Sequence, residues 1–209
     1  IKPVLIYPLF GVLLIGVFMF AVNPTMAAIN TGITGFLNSM GGSSKILLGC
    51  IVAGMMSIDM GGPFNKAAYV FGTASIASGN YDVMAAVMIG GMIPPLAVAL
   101  ATTFFKKKFT SEERKSGVVN YIMGLCFITE GVIPFAAADP LRVIPSCVAG
   151  SAVAGGLSML FGCTLRAPHG GIFVFPVVGN VVGYLIALAA GSLVGMLLLG
   201  VLKKDKVEE

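Results

Sequence analysis

Three short polar clusters stand out against an otherwise apolar chain, and each holds residue types capable of chemistry. The longest is "FITEGVIPFAAADPLRVIP", Phe127 to Pro145, which places Glu130, Asp139 and Arg142 among prolines at 134, 140 and 145. The second is "DMGGPFNK", Asp59 to Lys66, in which Asp59, Asn65 and Lys66 flank a Gly-Gly-Pro turn. The third is "RAPHGG", Arg166 to Gly171, which holds the single histidine, His169. A carboxylate such as Glu130 accepts hydrogen bonds from two neighbouring hydroxyls, the pattern a sugar offers. Asn65 brings both a donor and an acceptor, and His169 can bond a hydroxyl or carry a proton. Thr129, next to Glu130, adds a hydroxyl.

Each residue also has a purely structural reading. Glu130 can pair with Lys66, Arg142 or Arg166. Lys66 can neutralise Asp59 or Glu130. Asp139 and Arg142 lie three apart at a helix start, with Pro140 suited to the first turn, so Asp139 is read as a helix cap and the two as a structural pair. His169 can simply bond backbone in its turn. One histidine without companion ligands makes no metal site, and no metal or cofactor is expected. Cys50, Cys126, Cys147 and Cys163 form no CxxC pair and are read as small packing residues. No P-loop, HExxH or Gly-x-Ser-x-Gly pattern is present.

The elements that position these clusters belong to a membrane. Only 11% of the 209 residues are charged and 57% are hydrophobic; the mean hydropathy is +0.97. A water-soluble domain carries about a quarter charged residues. Val4 to Val22, Val83 to Phe105, Val143 to Leu165 and Ala167 to Leu202 carry no charge, counting His169 as neutral, and about 20 apolar helical residues cross a bilayer. The chain is therefore read as an all-α integral membrane protein: spanning helices plus two re-entrant hairpins and an amphipathic helix. Spans are expected at 4–22, ending at Asn23-Pro24, and at 83–105, 141–165 and 181–202. The amphipathic helix follows the first span, from Met26 to Met40. Residues 46–58 and 116–129 are too short to cross and run into Gly- or Pro-containing breaks. Irregular backbone at membrane depth must be buried in protein or face a watery cavity, and interrupted hydrophobic segments point to a transporter's binding site.

Charge distribution supplies the topology. Lys106, Lys107, Lys108, Arg114 and Lys115 form one basic cluster; Lys203, Lys204 and Lys206 form another. Short basic loops stay in the cytoplasm. Both clusters are expected there, separated by the two crossings 141–165 and 181–202. The net charge of +4 is a topology signal, and no nucleic-acid partner is expected. The chain begins at Ile1 with no cleavage pattern after its first apolar run, and is read as a fragment of a longer protein without a signal peptide.

"DMGGPFNKAAYVFG" (59–72), "FITEGVIPFAAADPLRVIP" (127–145) and "LRAPHGGIFVFP" (165–176), with "KPVLIYPLFGVL" (2–13), closely resemble the membrane subunit, enzyme IIC, of fructose-type sugar phosphotransferase systems. The resemblance covers essentially the whole chain. It implies a bacterial inner-membrane homodimer in contact with lipid. It divides the chain into the end of a dimerising part with a linking amphipathic helix (1–44), a substrate-binding transport domain (45–202) and a cytoplasmic tail (203–209). It also implies that sugar is carried inward and phosphorylated by a phosphocysteine on a IIB partner, with IIA and the general phosphotransferase proteins upstream. For fructose the product is fructose 1-phosphate. By the same resemblance Glu130 contacts sugar hydroxyls, and the His- or Asn-containing motif of the family's first half maps onto Asp59–Lys66. Family members carry further spans before the one that starts here. None of the four cysteines is followed by proline, so the Cys-Pro-Thr motif of IIB lies elsewhere. Two other classes remain: an ion-coupled secondary transporter of a sugar or polyol using Glu130 as coupling carboxylate, and a non-catalytic membrane scaffold.

Overall fold

The computed structural model describes residues 7–39 and 45–205. The chain divides into two compact units, Ile1–Ser39 and Met40–Glu209. The first contains one helix, α1 (Tyr7–Ser39). The break expected at Asn23-Pro24 does not occur, because α1 runs through Pro24. A proline removes one N–H from a helix, and apolar helices tolerate that loss when the rest of the ladder holds. The expected amphipathic helix is thus the second half of α1; which way most of its side chains face lies outside the described residues. In the first half, Leu9, Phe10, Val12, Leu14, Val17 and Phe20 are all exposed.

The second unit is built round α4 (Asp82–Phe104), which at 23 residues is about 34 Å long. Nearly all of it is buried. Around it stand α2 (Lys45–Ile58), α3 (Pro63–Ala77), α5 (Ser111–Leu125), α6 (Ile133–Ala138), α7 (Pro140–Leu160) and α8 (Val181–Leu202). Among the described residues, α4, α7 and α8 are long and apolar enough to cross a membrane. Outward-facing Val182, Leu185, Ile186, Leu193, Leu197 and Val201 on α8 are exposed, which suits a hydrocarbon surrounding.

One backbone group fixes where these helices cross. Pro94 has no N–H, so the carbonyl of Gly90, four residues earlier, loses its helical partner. Ser151 of α7 donates its hydroxyl to that carbonyl at 2.8 Å, and Ser57 of α2 reaches it at 3.4 Å. The two hydroxyls are themselves 2.5 Å apart, and both serines are fully buried. Close approach is possible because Gly90 has no side chain: a methyl there would lie 2.5 Å from the Cα of Ala53. Small residues also let α7 meet α8, where a Cβ on Gly150 would lie 2.6 Å from the Gly191 carbonyl oxygen.

Two hairpins enter this bundle from opposite ends. The first begins where Lys45 pairs with Asp82 at 3.0 Å, beside the start of α4. Helix α2 then climbs α4 to the level of Gly90, and Met60 reaches the apolar cluster that holds Val98. Helix α3 returns, with Gly72 against Met84 and Val87. The second hairpin begins at the other end. There Thr110 and Glu113 form a capping box at the start of α5, so half of the expected basic loop 106–115 is helix. Tyr121 bonds Thr103 at 2.9 Å, Gly124 abuts Leu96, and Phe127 reaches Gly91. A 3-10 turn, Thr129–Val132, and α6 lead back to Phe135, packed edge-on against Phe109.

The two basic segments lie together at this second end. Lys108 donates to the Lys203 carbonyl and pairs with Asp205 at 3.5 Å. Asp139 binds Arg142 at 3.1 Å and Lys203 at 3.7 Å, and the Lys203 ammonium lies 4.9 Å from the centre of the Phe109 ring. The Asp139–Arg142 pair is therefore present, but Asp139 makes no side-chain cap on α7: its carboxylate is turned to the two cations instead. At the opposite end, the connection from α7 to α8 adds a two-residue antiparallel ladder to the helical fold. Strand β1 (Thr164–Leu165) pairs with β2 (Val178–Gly179), Thr164 opposite Gly179. The excursion between them carries His169 and a 3-10 segment, Gly171–Val177.

The Gly90 junction has a testable consequence. Ser57→Ala or Ser151→Ala alone should cost about 0.5–1 kcal/mol, since the remaining hydroxyl still serves the carbonyl. The double variant should cost at least about 1 kcal/mol more than the two single variants together, because a buried acceptor is then left without a partner. Denaturation of the purified protein in detergent, run as a double-mutant cycle, measures this; strict additivity would refute it.

Candidate functional site

The turn between α2 and α3 is self-contained. Pro63 opens α3 and offers no N–H. The next two amides, of Phe64 and Asn65, donate to the Asp59 carboxylate at 2.7 and 3.0 Å, and the Lys66 amide donates to the Gly62 carbonyl at 2.9 Å. Asp59 thus answers the donors at a helix start and sets a negative charge at the positive end of the helix dipole. The Asn65 side chain is buried and donates its amide to the Met56 carbonyl at 2.8 Å. Gly61 turns the chain with φ +117°, a conformation that excludes ordinary side chains, and a Cβ there would lie 2.9 Å from Oε1 of Glu130.

The second tip ends α5 in a Schellman motif. The Phe127 amide donates to the Gly124 carbonyl at 3.2 Å and the Ile128 amide to the Met123 carbonyl at 2.9 Å. The left-handed position of this motif usually holds glycine; here it is Phe127, with φ +63°. The ring is buried against Gly91, and that packing holds a backbone state that costs about 1 kcal/mol or more outside glycine. Immediately afterwards the chain presents Thr129, buried, and Glu130, exposed.

The third segment reaches the same place. Gly171, at φ +56°, packs so closely on this tip that a Cβ would lie 2.9 Å from the Phe127 amide nitrogen. The loop before it sets the His169 ring 5.2 Å from the Phe127 ring and 6.4 Å from that of Tyr69, with Tyr69 and Phe127 6.5 Å apart.

Together the three segments form an open cavity of about 740 Å³ lined by Met56, Asn65, Lys66, Tyr69, Phe127, Ile128, Thr129, Glu130 and His169. Five of the six residues expected to bind substrate meet here. Asp59 is the exception, because its carboxylate faces the backbone of α3. Arg166 is also elsewhere, with its guanidinium 5.0 Å above the Tyr81 ring. The anticipated ion pairs of Glu130 with Lys66, Arg142 or Arg166 are absent among the described residues, and Lys66 pairs with neither Asp59 nor Glu130. The cavity wall therefore carries one anion and one cation that do not neutralise each other by contact.

The ring wall of Tyr69 and Phe127 was not anticipated from sequence. Tyr69 carried a usable signal, since it lies three and four residues after Lys66 and Asn65, on one face of α3. Phe127 carried none, because nothing in its type announces a left-handed residue. Such a site combines hydroxyl-bonding groups with aromatic rings, the usual make-up of a pocket for a polar organic molecule.

The family model described as "Phosphotransferase system, EIIC" matches residues 3–150. The chain belongs to that family. It is 53% identical over its whole length to the PTS system fructose-specific EIIABC component of Bacillus subtilis (strain 168), of which the match covers 33%. Identity is also 53% over the whole chain to the fructose permease IIC component of Bacillus amyloliquefaciens, 68% of which is covered. It is 46% to the PTS system fructose-specific EIIB'BC component of Escherichia coli (strain K12), covering 100% of this chain and 38% of that relative. The chain thus spans about a third of the two multi-component relatives. No solved structure matches it.

The assignment of Asp59 to the helix start predicts a stability effect. Asp59→Ala should destabilise the protein by about 1–2 kcal/mol, the range for losing a helix-start acceptor. Asp59→Asn, which keeps one acceptor oxygen, should lose less. Thermal unfolding of the three proteins in detergent decides it; an unchanged midpoint for Asp59→Ala would show that the carboxylate does not support α3.

Proposed function

We propose that this EIIC-family chain carries fructose, or a fructose-like sugar, across a bacterial membrane for phosphorylation by a phosphorylated IIB partner. The observation that carries this reading is the cavity where two opposed hairpin tips meet, with the unpaired Glu130 carboxylate on its wall. Relatives at about half identity are named as fructose-specific components, and the multi-component ones are named with B components beside C. In this reading Glu130 and Thr129 bond sugar hydroxyls, as do the free amide oxygen of Asn65 and a ring nitrogen of His169. Tyr69 and Phe127 lie against the less polar face of the sugar. Asp59 supports the first tip from behind.

Residues 45–202 act as the transport domain and the two hairpins are re-entrant, one from each side. The shared basic end, with the loop 106–115 and the tail from Lys203, lies in the cytoplasm, as basic flanks do. The apolar, outward-facing residues of α1 contact lipid and a second copy of the chain, within the first unit.

Two measurements test this. Glu130→Gln should weaken fructose binding at least tenfold, or about 1.4 kcal/mol, in full-length protein that keeps its unfolding midpoint. Uptake into vesicles should require phosphorylated IIB and persist on a short timescale after a protonophore is added. Uptake that collapses with the proton gradient and ignores IIB would favour an ion-coupled transporter instead, and unaltered binding by Glu130→Gln would remove the carboxylate from the site.

A further inference from the structure

Among the described residues Lys66 is the one cation on the cavity wall, and the structure leaves it without the anions expected to neutralise it. Asp59 is committed to the amides of Phe64 and Asn65 at 2.7 and 3.0 Å. Glu130 lines the same cavity but forms no ion pair with Lys66 among the described residues. A neutral sugar does not need an ammonium group of its own, and the Lys66 side chain is exposed on the cavity wall rather than packed away, so its charge is open to a ligand. The start of α3 would otherwise be a ready anion site, but Asp59 already fills it. Any negative charge brought into the cavity therefore meets Lys66 as its only positive side chain on the wall.

We infer that Lys66 is a catalytic residue for phosphoryl transfer, facing the phosphoryl group as it passes from the IIB phosphocysteine to the sugar. This rests on the function proposed above. In the step, a sugar hydroxyl oxygen bonds to phosphorus while the phosphorus–sulfur bond breaks. The cysteine leaves as thiolate, and the hydroxyl proton passes to Glu130, the carboxylate on the same wall. Charge spreads over the three phosphoryl oxygens during transfer, so a fixed cation stabilises the transition state more than the bound sugar. The same cation then holds the dianionic product more tightly than the neutral substrate.

The test separates binding from chemistry in full-length protein supplied with phosphorylated IIB. Lys66→Met should lower the maximal rate of fructose phosphorylation about a hundredfold, the usual loss on removing one charge-stabilising donor. Fructose binding, which also certifies folding, should change less than about threefold, since the ground state makes little use of the charge. Competition by fructose 1-phosphate should weaken by about tenfold or more, and Lys66→Arg should recover much of the rate. Phosphorylation unaffected in Lys66→Met, or lost only in proportion to fructose binding, would overturn the assignment. If the wild-type protein neither binds nor phosphorylates fructose, the functional reading itself fails and this inference falls with it.

Discussion

The second unit depends on a carbonyl that its own helix cannot satisfy. Pro94 strips the Gly90 oxygen of its partner in the middle of the most buried helix. In a hydrocarbon surrounding, such an orphan cannot turn to water. Ser57 and Ser151 answer it from two other helices, so α2 and α7 are fixed to α4 at one level. Everything near the cavity takes its height from that level. The turn after α2 begins two residues beyond Ser57, and Phe127 packs on Gly91, the next residue along α4. The proline acts here as a coordinate, setting where two hairpins end.

Given that level, the tips solve a second problem, which is to turn the chain without leaving backbone donors bare. Each tip does so internally. Asp59 and Gly62 serve the start of α3, and the Schellman bonds serve the end of α5. Both tips carry a non-glycine residue in a left-handed state, Met60 at φ 48° and Phe127 at φ 63°. Both of those side chains are buried, so packing energy maintains the strain. Strained positions of this kind gather where a ligand is handled. Here they flank the two unneutralised charges.

How much of this was legible in the sequence follows from which interactions are local. The charge-free runs gave α4, α7 and α8, because length and composition decide a crossing. The Gly- and Pro-containing clusters gave the chain breaks, and polar residues within them gave most of the cavity wall. Pro24 misled as a terminator, because a proline's effect depends on whether the surrounding helix can absorb one lost bond. Asp139 misled as a cap, because Lys203, 64 positions away in the chain, competes for its carboxylate at 3.7 Å. For Asp59 the sequence leaves a substrate role and a structural role open, and the structure turns its carboxylate to the start of α3. The spacing from Asp59 to Phe64 and Asn65 is local, yet only the turn geometry at Met60 and Gly61 brings the carboxylate back to those amides. Phe127 was silent because its conformation is imposed by Gly91 and Gly171 from elsewhere in the chain.

The manner in which the tips meet bears on movement. Among the described residues no hydrogen bond joins residues 59–66 to residues 126–132. They touch through Gly61 against Glu130 and through Met60 in the apolar cluster that also holds Val132, with the rings of Tyr69 and Phe127 beside them. Parting them would forfeit dispersion contacts, each worth only a tenth or two of a kcal/mol per atom pair, and would expose no unsatisfied backbone. The basic end is different. There Asp139, Arg142, Lys108, Lys203 and Asp205 tie α7, the end of α4 and the end of α8 together by charge. The two regions are thus held by different forces: apolar packing without hydrogen bonds between the tips, and ion pairs at the basic end.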